Sequence, residues 1–96
     1  MPKAYWIAHV DVTDEAHYPE YLKAGAPVYK KYNARFVVRG GRHQAMEGEQ
    51  RARHVVIEFK DYETAMAAYN SEEYQAARAL RNRFAESEFL IVEGVD

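Results

Sequence analysis

The sequence predicts an α+β protein in which helices cover one face of a four-stranded antiparallel sheet. The first observation behind this prediction is that several short segments alternate in polarity or are rich in β-branched and aromatic residues, which is typical of strands. The second is that the segments between them carry apolar residues at helical spacing. Together they give the order β-α-β-β-α-β along 96 residues.

The first predicted strand runs from Ala4 to Val12, where one alternate set of residues is apolar throughout. Thr13 or Asp14 can then cap a helix, because a side-chain oxygen there accepts a hydrogen bond from an early backbone N–H. Asn33 suits the left-handed conformation that ends a helix. Pro27 removes a backbone hydrogen bond within this segment, so we expect a kink or a break near it.

The second strand is predicted from Arg35 to Arg39, and the glycine pair after it is a turn or bulge. A brief returning strand is expected from His43 to Met46. The third strand is predicted from His54 to Phe59, where alternate residues are again apolar.

Two helices and a last strand complete the chain. Asp61 and Ser71 are the predicted caps, because each is followed by acidic residues that suit the first turn of a helix. The last strand is predicted from Glu88 to Val95. This order is the split βαβ, or ferredoxin-like, arrangement.

The two right-handed crossovers are expected to place the first and third strands side by side at the centre of the sheet, running parallel. The helices then cover one face and leave the other bare. The bare face would carry Ile7, Val37, Val56 and their neighbours, a patch that is large for a monomer. We therefore expect a homodimer that packs face to face.

Composition argues against several classes of function. The 13 lysine and arginine residues against 15 aspartate and glutamate residues give a net charge of −2, whereas a surface that binds nucleic acid is basic. The absence of cysteine excludes disulfides, thiolate metal sites and a cysteine nucleophile. The four histidines lack the spacings typical of metal ligands, so neither a metal nor a cofactor is expected.

Length and hydropathy predict a single domain over residues 1–96. No apolar run approaches the roughly 20 residues that cross a bilayer, so no membrane association is expected. The first residues lead into a strand pattern rather than a signal peptide, which predicts a cytoplasmic protein. Eight tyrosines are many for this length, and they indicate either a partly tyrosine-built core or a pocket lined by tyrosine.

One candidate site combines residues of three strands, His9, Glu58 and Arg39. If the register brings them together, Glu58 would hold the tautomer of His9 and raise its basicity, which suits a general base. Arg39, which is expected to share a face with Arg35, would bind a carboxylate or enolate through a bidentate contact. The alternative is a buried ion-pair network that fixes the register of a dimer.

A second candidate site lies on the last helix. Tyr74, Arg78 and Arg81 stand at positions i, i+4 and i+7, so they share a side and could form the mouth of an anion site. The alternative is that these arginines are solvated or paired with nearby carboxylates. Trp6, the one tryptophan, is predicted to lie in the core.

Several segments together resemble the DUF1330 family, within the dimeric α/β-barrel superfamily. These segments are Lys3–Val12, Arg35–Gly41, Glu47–Glu49, His54–Phe59, Ser71–Gln75 and Val92–Gly94. The resemblance implies a ferredoxin-like protomer that dimerises through its sheets. It implies no established activity, and carrying over the activity of a superfamily member, such as a cofactor-independent monooxygenase, would be analogy at the level of the fold.

Two hypotheses about function stay open at this point. The leading one is a small-molecule-binding protein, one form of which is a cofactor-independent enzyme that acts on a small organic acid or aromatic compound. Its pocket would lie between the sheet and the helices or at the dimer seam. The alternative is a non-catalytic dimeric module with a structural or ligand-sensing role.

Overall fold

A computed structural model of the chain describes residues 2–96 as a two-layer α+β fold of the ferredoxin-like type. The elements are β1 (Ala4–Val12), α1 (Tyr18–Lys31), β2 (Arg35–Arg39), β3 (Arg53–Phe59), α2 (Tyr62–Asn70), α3 (Glu72–Phe84) and β4 (Ala85–Glu93). The four strands form one antiparallel sheet, as the sequence predicts, and their order in it is β2-β3-β1-β4.

The central strands β1 and β3 are adjacent, but they are antiparallel, so the prediction of a parallel pair is wrong. Trp6 faces Ile57 and Val10 faces Arg53 across this pair. The reason is the topology of the two crossovers. The first joins the parallel strands β1 and β2 with β3 between them, and the second joins β3 and β4 with β1 between them. Strand β3 therefore lies between β1 and β2 and runs against both.

The start of α1 differs from the prediction. Asp14 forms a turn before the helix, in which its carboxylate accepts a hydrogen bond from the backbone N–H of His17 at 3.2 Å. The helix begins at Tyr18, with Pro19 in the first turn, where a missing N–H carries no penalty. It continues through Pro27 without the expected break, and Asn33 ends it at a positive φ of 56°.

The other boundaries follow the predicted caps but not every predicted strand. The Asp61 carboxylate accepts from the Thr64 backbone N–H at 2.8 Å, and the Ser71 hydroxyl accepts from that of Tyr74 at 3.2 Å. The segment from His43 to Met46 is irregular rather than a strand. Strand β4 begins at Ala85, directly after the helix and earlier than predicted.

The core lies between the helices and one face of the sheet, and Trp6 is at its centre. The Trp6 side chain is 1% exposed, and its indole N–H donates to the Ala65 carbonyl oxygen at 2.9 Å. Rings of Phe59, Tyr74 and Phe89 surround it, with centroids 4.6–5.2 Å away. The prediction that Trp6 is a core residue is confirmed.

The opposite face of the sheet is bare in the protomer, and we call it the open face. Its centre is apolar, with Ile7 facing Val56 on one side and Leu90 on the other. Strand β2 contributes Val38, which pairs with Val56. Within residues 2–96, no helix has the length and apolar character needed to cross a membrane.

Candidate functional site

A cleft opens between the helix layer and the sheet, beside the core tryptophan. Its volume is about 460 Å³ including the open mouth, and its interior is narrow. Aromatic and aliphatic side chains of both layers line it, together with Arg39, Arg53 and Arg81. No acidic residue is among the described residues of the lining, so the cleft is apolar and positively charged.

Arg81 is the most buried of the three arginines of this cleft. Helix α3 carries it on the same stripe as the buried residues Tyr74, Ala77 and Phe84, and it is only 4% exposed. Its Nη1 donates to the Tyr74 hydroxyl oxygen at 2.6 Å, whereas its Nε has no hydrogen-bond partner among residues 2–96. An arginine buried to this degree usually has a carboxylate partner, and this one has none.

The neighbours of Arg81 do not neutralise it. Burial raises the pKa of Tyr74 well above its ordinary value, so the hydroxyl that Arg81 contacts is a neutral phenol. Burial opposes the charged form of Arg81, but a guanidinium keeps its proton in proteins. The guanidinium stays charged, 5.0 Å above the Phe89 ring, in a setting of aromatic faces.

A bulge in β2 places Arg39 at the mouth of the cleft. Phe36 pairs with Ile57 and Val38 with Val56, so Val37 is an extra residue without a partner. After this extra residue the alternation is inverted, and Arg39 joins Phe36 on the helix side, with its guanidinium 4.1 Å from that ring. The expectation that Arg35 and Arg39 share a face is wrong for this reason.

Arg53 is the third cationic group of the lining. Its guanidinium packs so closely over Gly40 that a Cβ at that position would lie 2.4 Å from Nη1. It also lies beside Tyr18, where it opposes the rise that burial causes in the pKa of that hydroxyl. Glycine at position 40, which has φ of +64°, therefore provides the space in which Arg53 lies.

The predicted trio of His9, Glu58 and Arg39 does not converge. His9 and Glu58 lie on the open face, and Glu58 faces Tyr5, four positions along β1 from His9. Glu58 instead contacts Lys3 and Arg35, each at 3.3 Å. The antiparallel register separates the pair by about 13 Å along the strand, and the bulge puts Arg39 on the other face.

The predicted helix trio is partly brought together. Tyr74 and Arg81 are in contact, as described above, although Tyr74 lies behind the arginine rather than in the lining. Arg78 is half-buried and contacts Gln75 Oε1 at 3.3 Å, away from the cleft. The alternative that Arg81 is solvated or paired with a carboxylate does not hold.

Three histidines gather at one end of the open face. The Nδ1 atoms of His9 and His54 are 2.8 Å apart, and the His43 ring lies 4.5 Å from that of His54. The two nitrogens contact each other directly, which leaves no space for an ion between them. Among residues 2–96, no group of three histidine or carboxylate side chains is arranged to hold a metal ion.

This histidine cluster predicts an acid-sensitive fold. Burial, and then the neighbouring His43 and His9, lower the pKa of His54 from its ordinary value of 6.5. The unfolded chain therefore takes up this proton at a higher pH than the folded one, so the stabilising contribution is complete above pH 6.5 and is lost as the pH falls towards the folded pKa. We expect the free energy of unfolding to decrease across this range in urea titrations.

The matched control for this prediction is a substitution that changes no titratable group. His54→Gln should flatten the decrease in stability, whereas Gln44→Asn, at an exposed residue next to His43, should leave it unchanged. An unchanged pH dependence in His54→Gln would contradict the prediction.

Most residues of the lining could not be predicted from the sequence. Tyr21, Tyr29, Phe36 and Arg53 were not singled out, although the large number of tyrosines indicated a tyrosine-lined pocket as one option. The signal that could have found Arg81 is its position on an otherwise apolar stripe of α3. A charged residue on a core stripe is either satisfied by a partner or exposed to a ligand site.

Comparisons with known proteins agree with this fold. A family model described as a domain of unknown function (DUF1330) matches residues 3–95, and no curated protein matches the chain. A protein of unknown function from Rhodopseudomonas palustris is 14% identical with a TM-score of 0.77, over 99% of this chain and 84% of that one.

Two further solved structures show the same fold. SnoaB, a cofactor-independent oxygenase from Streptomyces nogalater, is 12% identical with a TM-score of 0.64, over 100% of this chain and 96% of that one. A dimeric ferredoxin-like protein of unknown function from Thermobifida fusca is 13% identical with a TM-score of 0.56, over 97% of this chain and 92% of that one. At these identities the similarity shows the fold alone.

Proposed function

Because the chain belongs to the DUF1330 family, whose function is unknown, its activity has to be inferred from the cleft, and we propose that it binds a small planar organic anion there. The observation that carries this proposal is Arg81, a buried cation with an unpartnered Nε in an apolar cleft without acidic residues. A carboxylate, enolate or phenolate would supply the missing charge. The aromatic lining would contact the planar body of such a ligand.

Charge and shape both favour this class of ligand. A guanidinium binds a carboxylate through two parallel hydrogen bonds, and such contacts are stronger where water is excluded. Because the cleft is narrow, side chains at its mouth would move aside as the ligand enters. A neutral ligand of the same shape would gain the apolar contacts but leave Arg81 uncompensated.

An enzymatic form of the proposal is a cofactor-independent reaction of the bound anion, the class of the Streptomyces nogalater oxygenase. In that form Arg81 would stabilise the negative charge of an enolate or phenolate oxygen. One observation favours the alternative, a non-catalytic ligand-sensing module: none of the described lining residues is histidine, aspartate or glutamate. The cleft therefore suits a ligand that arrives as an anion rather than one that must lose a proton there.

Benzoate and its neutral counterpart benzamide test the proposal. Trp6 is the one tryptophan and it lines the cleft, so its fluorescence reports binding, with calorimetry as the second readout. We expect saturable binding of benzoate at least about tenfold tighter than that of benzamide, since a hydrogen bond to a charged group contributes about 1.5–3 kcal/mol. Equal affinities for the two, or no saturable binding of benzoate, salicylate and phenylacetate, would overturn it.

We propose further that two copies of the chain pack through their open faces. The apolar centre of that face, where Ile7, Val56 and Leu90 adjoin, is what supports this proposal, together with the dimeric state of the Thermobifida fusca neighbour. Leu90 is 49% exposed in the protomer, which is large for an apolar side chain in the middle of a strand.

The replacement Leu90→Asp is expected to weaken the dimer at least about 100-fold, because an unpaired charge buried in an interface costs several kcal/mol. Light scattering at micromolar concentration measures it. The control is Val95→Asp, at an exposed valine beyond the end of β4, which should stay dimeric. A monomeric mass for the unmodified chain would refute the dimer.

A further inference from the structure

The mouth of the cleft carries more positive charge than a single carboxylate at Arg81 would neutralise. Arg39 and Arg53 both line it, and among residues 2–96 neither forms an ion pair. Arg35 of β2 and Arg51, two residues before β3 begins, do have acidic partners: Arg35 contacts Glu58, and Arg51 contacts Glu88 at 2.6 Å. Arg39 and Arg53 lie close to these two arginines along the chain and differ from them in this respect.

The sheet holds these charges at opposite ends of the cleft. The Arg81 guanidinium lies over Phe89 of β4. One row of paired residues crosses the sheet from Phe89 to β2, through Ala8 of β1 and Val55 of β3, and it ends at Arg39. Three strand spacings separate β4 from β2, about 14 Å between backbones, and two separate it from β3, about 10 Å. The side chains between the two ends are apolar.

We propose that the ligand is an elongated dianion, with a planar apolar body and a carboxylate at each end. This inference rests on the proposed function. One carboxylate binds Arg81 inside the cleft, and the other is held at the mouth by Arg53 and Arg39. Two guanidinium groups that lack acidic partners suit a second carboxylate, because arginine matches the geometry of that group.

The space over Gly40 shows that Arg53 is held in place at the mouth. The guanidinium lies against the backbone at this position, and only a residue without a Cβ leaves that space open. Gly48 has a similar φ of +74° but nothing within 4 Å of its Cβ position. Both glycines have a positive φ, but only at Gly40 would a Cβ meet the Arg53 guanidinium. Comparing alanine at the two positions therefore distinguishes the effect of backbone strain from the effect of displacing Arg53.

Terephthalate and its monomethyl ester test the inference, because the ester keeps the planar body and one carboxylate while a methyl group removes the second charge. We expect terephthalate, or its isomer isophthalate, to bind at least about tenfold more tightly than the corresponding monoester, as measured by Trp6 fluorescence and calorimetry. Arg53→Met and Arg39→Met should reduce this ratio towards one, because they weaken the binding of the dianion more than that of the monoester. Arg42→Met, at an exposed arginine of the following loop, is the matched control and should preserve the ratio.

Gly40→Ala should also reduce the ratio, because the added methyl group displaces the Arg53 guanidinium, whereas Gly48→Ala should not. If the monoesters bind and neither dianion binds more tightly, the inference is wrong and the proposed function stands. If neither the monoesters nor benzoate bind, the proposed function itself is wrong. A preference for dianions that survives in the double variant of Arg39 and Arg53 would also overturn the assignment.

Discussion

Replacing Arg81 with methionine is expected to abolish binding of benzoate while raising the free energy of unfolding by about 1–3 kcal/mol. The gain arises because the variant removes a buried charge that has no acidic partner and an Nε that has no hydrogen bond. Methionine fills a similar volume among aromatic rings. The Tyr74 hydroxyl keeps a partner, since the Tyr21 hydroxyl lies 2.8 Å from it.

Opposite changes in binding and stability distinguish a ligand site from a structural network. A residue that serves the fold alone would destabilise the protein when it is removed, because its partners would be left unsatisfied. Binding is measured by Trp6 fluorescence, and stability by urea unfolding at a fixed protein concentration. A loss of more than about 1 kcal/mol in Arg81→Met would contradict the prediction.

Arg78→Met is the matched control for this experiment. Arg78 lies three positions earlier on the same helix and is half-buried, but it does not line the cleft. We expect it to leave benzoate binding unchanged and stability within about 0.5 kcal/mol. Loss of binding in Arg78→Met would support a ligand role for Arg78, as the sequence analysis expected, and would weaken the case for the cleft.

Trp6→Ala is expected to destabilise the fold by about 3–5 kcal/mol, the usual range when a large aromatic side chain is removed from a core. The ring fills the space between Phe59, Tyr74 and Phe89, and its removal also leaves the Ala65 carbonyl oxygen without the indole N–H. This is a large share of the roughly 5–15 kcal/mol that a small domain has in total. Circular dichroism during urea unfolding measures it, because the fluorescent probe is lost.

Trp6→Phe divides this effect into its parts. It keeps an aromatic ring in the cluster but cannot donate to Ala65, so its destabilisation should lie well below that of Trp6→Ala. Tyr5→Ala provides a control on the same strand, since Tyr5 faces the other side of the sheet. A destabilisation of less than about 1 kcal/mol in Trp6→Ala would contradict the assignment of this ring to the centre of the core.

The first two strands are among the parts of the fold that the sequence predicts best. The bounds of β1 and β2 agree with the structure, because alternation of apolar and polar residues repeats every two positions and is hard to mistake over nine residues of β1. The caps at Asp61 and Ser71 were predicted equally well, since a side-chain oxygen at that position accepts a hydrogen bond from the backbone N–H three residues later. The predicted cap at Asp14 was wrong, because its carboxylate stabilises a turn before the helix.

The candidate site was harder to predict, because it depends on pairing between strands rather than on any one segment. His9 and Glu58 are separated by the register of β1 and β3, and no local pattern encodes register. Arg81 stood among the core residues of α3 in the sequence, but whether a carboxylate partner reached it depended on the folded neighbours. A buried arginine without a counter-ion is visible only in three dimensions.

The extra residue at Val37 makes the chemistry of the cleft depend on the register of β2. Pairing Val37 with Val56 in a regular ladder would turn Arg39 towards the open face, although no residue would change, whereas deleting Val37 would keep Val38 opposite Val56 and Arg39 opposite Val55. Two homologues could therefore retain every arginine of this cleft and still differ in its charge, if only one of them forms the bulge. Loss of the bulge acts like a charge substitution, and an alignment that ignores a gap at this position would compare residues from opposite faces of the sheet.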